Sequence, residues 1–293
     1  MGIVLISTSN VRGGRSEALD RMLKSVENVV SGRPDMPIVL LLLLQNSPSE
    51  QNSIRDFPTF VDVSSIPHQI SLSAARNILL LRAQSRGLIG PTTVVGFPDD
   101  DCWYPPETLE HIAGQFSRHP ELDFWFCRYS SNPVATSEAR VTGRPARARD
   151  VIRQASSNTM FVRGEIIQSG ATFDEQLGVG TPVGGAEDTE FALRAYFLST
   201  QAMYLDAAVV GHRDKSTELR AKYYRGGLVA IATHARKKKR GVVVELIRKV
   251  AVGAWLTLRG ELTLATYIDD LAAGANAWLS SNRGTHRTLR TSR

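Results

Sequence analysis

The sequence has few cysteines and no long hydrophobic run. Its two cysteines, Cys102 and Cys127, cannot form the disulfide framework of a small secreted protein, so we expect two reduced thiols in a cytoplasmic protein. The apolar residues 3–6 are too short for a secretory signal, and no basic residue precedes them. The apolar run at residues 38–44 is far below the length of a membrane span and is typical of a buried central strand.

Acidic residues are scarce toward the C-terminus. Residues 213–293 hold 17 Lys/Arg and 6 Asp/Glu, a balance of +11, whereas the rest of the chain holds 18 and 23, a balance of −5. Basic charge confined to a terminal block predicts an anionic partner surface, either a membrane or a nucleic acid, rather than a basic catalytic domain.

The basic block contains a pattern that favours a membrane over a nucleic acid. Residues 236–240 are all basic, and the apolar stretch 242–258 that follows is interrupted by Glu245, Arg248 and Lys249. This predicts an amphipathic helix that docks peripherally on an anionic leaflet, at the inner face of the cytoplasmic membrane. The alternative is a helix that covers the core with a solvated face. Nucleic acid is disfavoured because aromatic residues are not interleaved with the basic ones and no reader motif is present.

Strand-like and helix-like segments alternate over residues 1–215. This alternation predicts an α/β fold with a mixed, mostly parallel sheet flanked by helices. Ligands of open sheets of this kind bind at the carboxyl ends of the strands. Residues 7–12, 45–47 and 99–101 all fall at such predicted ends.

The remaining segments predict a second unit and a loop. From residue 216 to residue 293 the pattern is helical, with a frayed end over the last ten residues. We therefore expect a catalytic domain at 1–215 and a basic, helical C-terminal appendage at 216–293. The polar segment 131–153 is predicted to be a long loop.

Three adjacent carboxylates, Asp99, Asp100 and Asp101, end the apolar run 92–98. They repel one another, so their place at the end of a buried strand predicts a bound cation. Hard cations such as Mg²⁺ and Mn²⁺ prefer oxygen ligands, commonly one or two carboxylates together with substrate phosphates. The simpler interpretation is a solvated acidic turn.

Two further elements follow the acidic triplet along the chain. Glu187 and Asp188 come after Gly184-Gly185-Ala186 and open a helix-like segment, and His212 follows the apolar residues 207–211. Acidic residues are favoured at a helix N-terminus in any case, and a histidine at a strand end can be an ordinary surface residue. In this order, however, the three elements indicate metal-assisted chemistry on a phosphorylated donor.

Together these motifs resemble the family 2 glycosyltransferases of the GT-A fold. The resemblance covers residues 1–215 and also rests on Ser7-Thr8-Ser9, on the helix segment 73–77 and on Phe173-Asp174-Glu175. It implies a Rossmann-like sheet and transfer of a sugar from a nucleotide-sugar donor, with inversion, to an acceptor hydroxyl. A growing polysaccharide or a lipid-linked glycan is the acceptor class that the resemblance favours.

The resemblance also implies roles for particular residues. Asp99 and Asp101 would hold Mn²⁺ or Mg²⁺, with His212 as a further ligand. Asp188 would be the general base and Glu187 would bind the acceptor, although these two roles could be exchanged. The implied donor-binding residues are Ser7, Thr8, Ser9, Gln45, Arg76, Asn77, Asp99 and Asp100.

Two features leave alternatives open. Gln45 and Asn46 stand where the family usually carries an Asp that reads the nucleobase, so the base of the donor is undetermined. A sugar-nucleotide nucleotidyltransferase would share the sheet and the metal, but it needs a Gly-rich loop with a Lys after the first strand. Residues 9–15 contain glycines and arginines without a lysine, which disfavours that class.

Overall fold

A computed structural model describes residues 1–47, 56–138, 142–214, 219–236 and 240–280. Within these residues, eight strands form one sheet in the order β3-β2-β1-β4-β7-β5-β8-β6. The strands are β1 Ile3–Asn10, β2 Ile38–Gln45, β3 Val61–Ser65, β4 Val94–Gly96, β5 Leu122–Ser130, β6 Arg144–Pro145, β7 Met160–Arg163 and β8 Gln201–Gly211.

The sheet is mixed and mostly parallel, which confirms the predicted fold class. β1 pairs in parallel with β2 and β4, β2 pairs in parallel with β3, and β5 pairs in parallel with β8. β7 runs antiparallel between β4 and β5, and β6 runs antiparallel to β8. Six strands therefore point in one direction, and their carboxyl ends share one edge of the sheet.

Helices cover both faces of this sheet. One face packs against α1 and α3 through residues such as Met22 and Ile112, and the other packs against α2 and α6 through residues such as Leu79 and Phe191. The helices are α1 Ser16–Gly32, α2 Leu72–Ser85, α3 Thr108–Arg118, α4 Ala148–Gln154, α5 Gly164–Gln168, α6 Glu187–Leu198, α7 Leu219–Lys222, α8 Tyr224–Ala235, α9 Arg240–Leu258 and α10 Leu264–Ser280.

The predicted loop at 131–153 is wrong over its second half, which contains β6 and most of α4. The Arg144 guanidinium donates to both carboxylate oxygens of Asp150, and the same carboxylate accepts from the backbone N–H of Arg147 at the start of α4. Val151 is fully buried. Four arginines, at 144, 147, 149 and 153, make this half of the segment look polar in the sequence. In the structure one of them, Arg144, helps to order a short helix.

The C-terminal helices begin against the sheet core, where Ile231 and Ala235 of α8 pack with the residues under α2 and α6. The predicted boundary between residues 215 and 216, the lysines at 237–239 and the last ten residues lie outside the described part of the chain. Of the helices that the structure describes, none has the length and hydrophobicity needed to span a membrane.

The charges that interrupt the apolar stretch of α9 do not lie on a solvated face. Glu245 is buried and pairs with Arg153 at 2.7 Å and with Arg248 at 2.6 Å. The ammonium of Lys249 lies 4.8 Å from the ring centre of Tyr224, and burial lowers the pKa of Lys249 to about 8. The polar side of α9 thus faces the protein.

Candidate active site

The candidate site lies at the carboxyl edge of the sheet, where the central strands end. β4 leads into the acidic triplet Asp99 to Asp101, and β8 is followed directly by His212. The N-terminus of α6 brings Glu187 and Asp188 to the same edge. Three segments that are distant in sequence therefore meet where open α/β sheets bind ligands.

Asp99, Asp101 and His212 form a cluster with the geometry of a cation site. The Nε2 of His212 lies 3.0 Å from Asp101 Oδ1 and 3.7 Å from Asp99 Oδ2, and one ligand atom of each residue lies within 4.8 Å of the other two. His212 Nδ1 is 2.9 Å from the Arg213 carbonyl oxygen, which assigns the proton to Nδ1 and directs Nε2 at the carboxylates. Asp101 Oδ1 is buried and accepts no aligned hydrogen bond from the described residues. These donors fit Mg²⁺ or Mn²⁺.

The electrostatics of the cluster favour the charged forms of two of its members. Partial burial acts to raise the pKa of Asp101, but the imidazole of His212 outweighs it and lowers that pKa to about 2. Burial acts to lower the pKa of His212, but the Asp101 and Asp99 carboxylates outweigh it and raise that pKa. Burial raises the pKa of Asp99, against the opposing effect of Arg76. Asp101 is therefore the carboxylate that is most firmly ionised.

A short antiparallel bridge brings the acidic triplet to His212. The N–H of Trp103 donates to the Gly211 carbonyl at 2.9 Å, and the N–H of Gly211 donates to the Trp103 carbonyl at 2.8 Å. The indole of Trp103 packs so closely over Gly211 that a Cβ at this position would overlap the ring. A glycine at the end of β8 is therefore required for the acidic triplet and His212 to meet.

Asp100 points away from the cluster and is buried. Its carboxylate accepts from the Ser9 hydroxyl at 2.7 Å and from the Arg15 guanidinium at 2.8 Å. Arg15 also lies 3.7 Å from Asp101, and Arg213 lies 3.6 Å from the same carboxylate. Because both arginine side chains are substantially exposed, the rim of the site presents cationic groups to a ligand.

Arg76 connects the acidic triplet to the acidic pair of α6. Its guanidinium donates to Asp99 at 2.8 Å and to Asp188 at 3.0 Å, and its side chain is only 1% exposed. Burial acts to lower the pKa of Arg76, but the Asp188 and Asp99 carboxylates outweigh it and raise that pKa. A buried guanidinium needs such partners, so Arg76 holds the two carboxylates in place.

Ser156 and Ser157 complete this connection and were missed in the sequence. The Ser157 hydroxyl donates to Asp99 at 3.2 Å, its backbone N–H donates to Asp188 at 2.9 Å, and the Ser156 hydroxyl donates to Asp188 at 3.1 Å. The only signal in the sequence is a short polar run before the buried strand β7, which by itself reads as a turn.

The two acidic residues of α6 have different surroundings. The Asp188 side chain is 23% exposed, whereas Glu187 is buried beneath the loop at Gly178, where a Cβ would lie 3.1 Å from the Glu187 Cδ. Burial raises the pKa of Glu187 to about 7, and the charge of Asp188 adds to this effect. Asp188 is therefore the more accessible carboxylate of the pair.

The raised pKa of Glu187 predicts a pH dependence of stability. The folded protein holds the Glu187 proton more tightly than the unfolded chain, so this stabilisation is present below the ordinary pKa of 4.5 and is lost as the pH rises toward about 7. We expect the free energy of unfolding of wild type to fall by about 3 kcal/mol over that range, and Glu187→Gln to lack this fall. Urea unfolding in EDTA at several pH values measures it. The control is Glu165→Gln on the surface of α5, and equal slopes in wild type and Glu187→Gln would contradict the prediction.

Several sequence-predicted donor-binding residues are already engaged by the protein. The Gln45 amide donates to the Thr8 hydroxyl at 2.8 Å and accepts from the backbone N–H of Ile70 at 2.8 Å. The Asn77 amide donates to the Phe173 carbonyl oxygen and accepts from the Phe173 backbone N–H, each at 2.9 Å. Ser7 is fully buried in β1. The side chains of Gln45 and Asn77 are therefore bonded within the protein, and Ser7 is buried.

Comparison with known proteins agrees with this geometry. The model of glycosyl transferase family 2 matches residues 4–171, which is more than half of the chain. The S. aureus TarS 1-349 structure in complex with UDP is 19% identical, with a TM-score of 0.65, covering 94% of this chain and 81% of that one. The complex of the same protein with UDP-GlcNAc is 17% identical, with a TM-score of 0.63, covering 96% and 81%. No curated protein matches the chain.

The fold and the site at its strand ends define a GT-A protein. The chain belongs to glycosyl transferase family 2. It is accordingly a glycosyltransferase rather than a sugar-nucleotide nucleotidyltransferase.

Proposed function

We propose that this enzyme moves a sugar from a nucleotide-sugar donor to an acceptor hydroxyl in a metal-dependent, inverting reaction. Arg76 and Ser157 carry the proposal, because each contacts both Asp99 and Asp188. The candidate metal cluster and the candidate base therefore belong to one rigid site. A single in-line displacement needs its leaving group and its base at such fixed positions.

Asp188 is the general base in this proposal. Its carboxylate retains exposure to the cleft, and three donors from Arg76, Ser156 and Ser157 hold its orientation. A base held in this way takes the proton from the acceptor hydroxyl as that oxygen attacks the anomeric carbon. Glu187 lies deeper and would bind the acceptor or support the loop at Gly178.

Asp99, Asp101 and His212 would hold Mn²⁺ or Mg²⁺ next to the donor diphosphate. When bound, the ion supplies Lewis-acid stabilisation of the nucleoside diphosphate that departs. Arg15 and Arg213 add positive charge at the rim of the same cluster. Ser9 lies near the end of β1 and donates to Asp100. The ribose of the donor would lie next to this pair.

For the nucleobase of the donor we propose a first candidate, and for the acceptor we propose a class of molecule. UDP and UDP-GlcNAc complexes of the structurally similar TarS make a uridine donor the first candidate, although Gln45 is already bonded within this protein. The acceptor would be a growing polysaccharide or a lipid-linked glycan. Such acceptors place the enzyme in the cytoplasm, at the inner face of the membrane.

Thermal unfolding with UDP-, GDP-, dTDP- and CDP-sugars, each with Mn²⁺ or with EDTA, tests this function. A ligand that binds only the folded state stabilises it by about 2.7 kcal/mol at a hundredfold excess over its dissociation constant. We expect one nucleotide class to raise the melting temperature in Mn²⁺ and to lose most of that effect in EDTA. Equal shifts in Mn²⁺ and EDTA would contradict the metal assignment, and no shift with any donor would contradict nucleotide-sugar binding by the free enzyme.

A further inference from the structure

The outer side of α9 is apolar over almost its full length. Ile247 is 66% exposed and Leu258 is 87% exposed. The other exposed side chains between residues 243 and 258 are Val243, Val244, Ala251, Ala254 and Trp255. These positions recur at helical spacing and form one stripe. Glu245 and Lys249 lie toward the protein, whereas the Arg248 side chain is 41% exposed.

α10 repeats this pattern beside α9. Five of its exposed apolar side chains recur at helical spacing and form a second stripe, namely Leu264, Ile268, Ala272, Ala275 and Leu279. The Tyr267 hydroxyl near the start of α10 donates to the Val250 carbonyl of α9 at 2.9 Å, and Gly260, at φ +72°, turns the chain between the helices. α10 therefore runs back alongside α9. We call these two stripes, twelve residues in all, the α9–α10 face.

An apolar cavity of about 290 Å³ continues this face into the protein. It lies between α8, α9 and α10, and Ala275 belongs both to its lining and to the α10 stripe. The other lining residues are Leu228, Ala232, Leu246, Val250, Leu271, Gly274 and Trp278. A large apolar surface of this kind on a soluble domain marks an interaction site.

The charge around the α9–α10 face is asymmetric. Residues 236–240, which join α8 to α9, are all basic. The Arg236 guanidinium lies 5.4 Å from the ring centre of Trp278 and donates to the Leu279 carbonyl at 2.9 Å. At the opposite end, Arg259 lies 4.7 Å from the ring centre of Trp255 and pairs with Glu261 at 2.9 Å. Tryptophans paired with arginines at the border of an apolar surface are typical of a membrane interface.

The chain beyond α10 is poorly suited to cover this face. Residues 281–293 contain one large apolar residue, Leu289, and four arginines. A second copy of the protein would bury the apolar area, but Glu261 and the exposed Asp269 are the acidic residues near the face that could meet the five basic residues at 236–240. An anionic lipid surface matches both the apolar area and the excess of positive charge.

We propose that the α9–α10 face docks on an anionic lipid bilayer. The two stripes enter the boundary between headgroups and acyl chains, and the positive charge of the sequence 236–240 attracts the anionic headgroups. This orientation deepens the proposed function, since it would hold the enzyme against a membrane-borne acceptor. Docking itself requires neither donor nor activity, so its failure and a failure of the proposed function are distinguishable.

Flotation of the full chain with vesicles tests the docking. We expect wild type to float with phosphatidylglycerol-containing vesicles and to remain largely unbound with phosphatidylcholine alone. Ile247→Asp together with Leu258→Asp should lower the partition coefficient about tenfold or more, because burial of two large apolar side chains is lost. Leu81→Asp is the matched control, since Leu81 is 64% exposed on α2 and belongs to neither stripe of the α9–α10 face.

Three flotation results would overturn the proposal. They are wild type that stays unbound with anionic vesicles, a double variant that floats as well as wild type, and a Leu81→Asp variant that loses binding equally. Light scattering of the same samples tests whether a second copy of the protein covers the face instead. A wild-type dimer that the double variant converts to a monomer would assign the face to a second copy and also overturn lipid docking.

Discussion

Asp188→Asn is expected to lower kcat by about 10²–10⁴-fold, the usual contribution of a positioned general base. The amide cannot take the proton of the acceptor hydroxyl, although it has nearly the same shape as the carboxylate. Its oxygen can still accept from Arg76 or from Ser157, so the walls of the site should persist. Single-turnover transfer assays at saturating donor measure the effect directly.

The control for this variant is Asp206→Asn, the same change on β8 at an exposed carboxylate that pairs with Arg128. Metal-dependent stabilisation by the donor should be close to wild type in both variants. Transfer by Asp188→Asn at a rate within a few-fold of wild type would exclude Asp188 as the base. Loss of donor stabilisation together with activity would show that the substitution disturbs the site through Arg76 instead.

Asp101→Asn is expected to remove the metal-dependent part of donor binding and to lower transfer by about 10²-fold or more. With a pKa of about 2, Asp101 is fully ionised at neutral pH, and its buried oxygen faces the imidazole nitrogen of His212 at 3.0 Å. An amide oxygen there is a much weaker ligand for a hard cation. Titration of Mn²⁺ in the presence of the stabilising nucleotide-sugar measures the loss.

Unfolding of the same variant in EDTA separates ligand loss from misfolding. We expect Asp101→Asn to remain folded in EDTA and to show nearly the same melting temperature with and without Mn²⁺, while Asp206→Asn retains the wild-type difference. If Asp101→Asn kept the wild-type response to Mn²⁺, the cation would have to be held elsewhere.

The sequence predicted the fold and the acidic elements because these depend on local patterns. Apolar runs alternating with helical periodicity specify the sheet, and Asp99 to Asp101, Asp188 and His212 each stand directly after such a run or at a helix start. The sequence could not show which groups form hydrogen bonds and ion pairs with these residues. Arg76 reaches Asp188 across 112 residues, and no local pattern reports a partner at that distance.

The same limit applies to two other segments. The arginines between 144 and 153 look like loop residues until Asp150 and Glu245 are placed beside them. In α9 the spacing of the charges predicts an amphipathic helix, but periodicity alone does not say which side faces the protein. Here Arg153, which lies 92 residues before Glu245, determines that the charged side is buried.

The bridge between Trp103 and Gly211 has a consequence for the order in which the active site can form. Asp101 and His212 are brought together only after β8 has joined the sheet, and the entropic cost of closing so large a loop must be met by contacts formed beforehand. A nascent chain that has emerged only as far as residue 171, the end of the segment that matches the family model, lacks both Asp188 and His212. The complete site can therefore form only after β8 has been synthesised and has paired with β5.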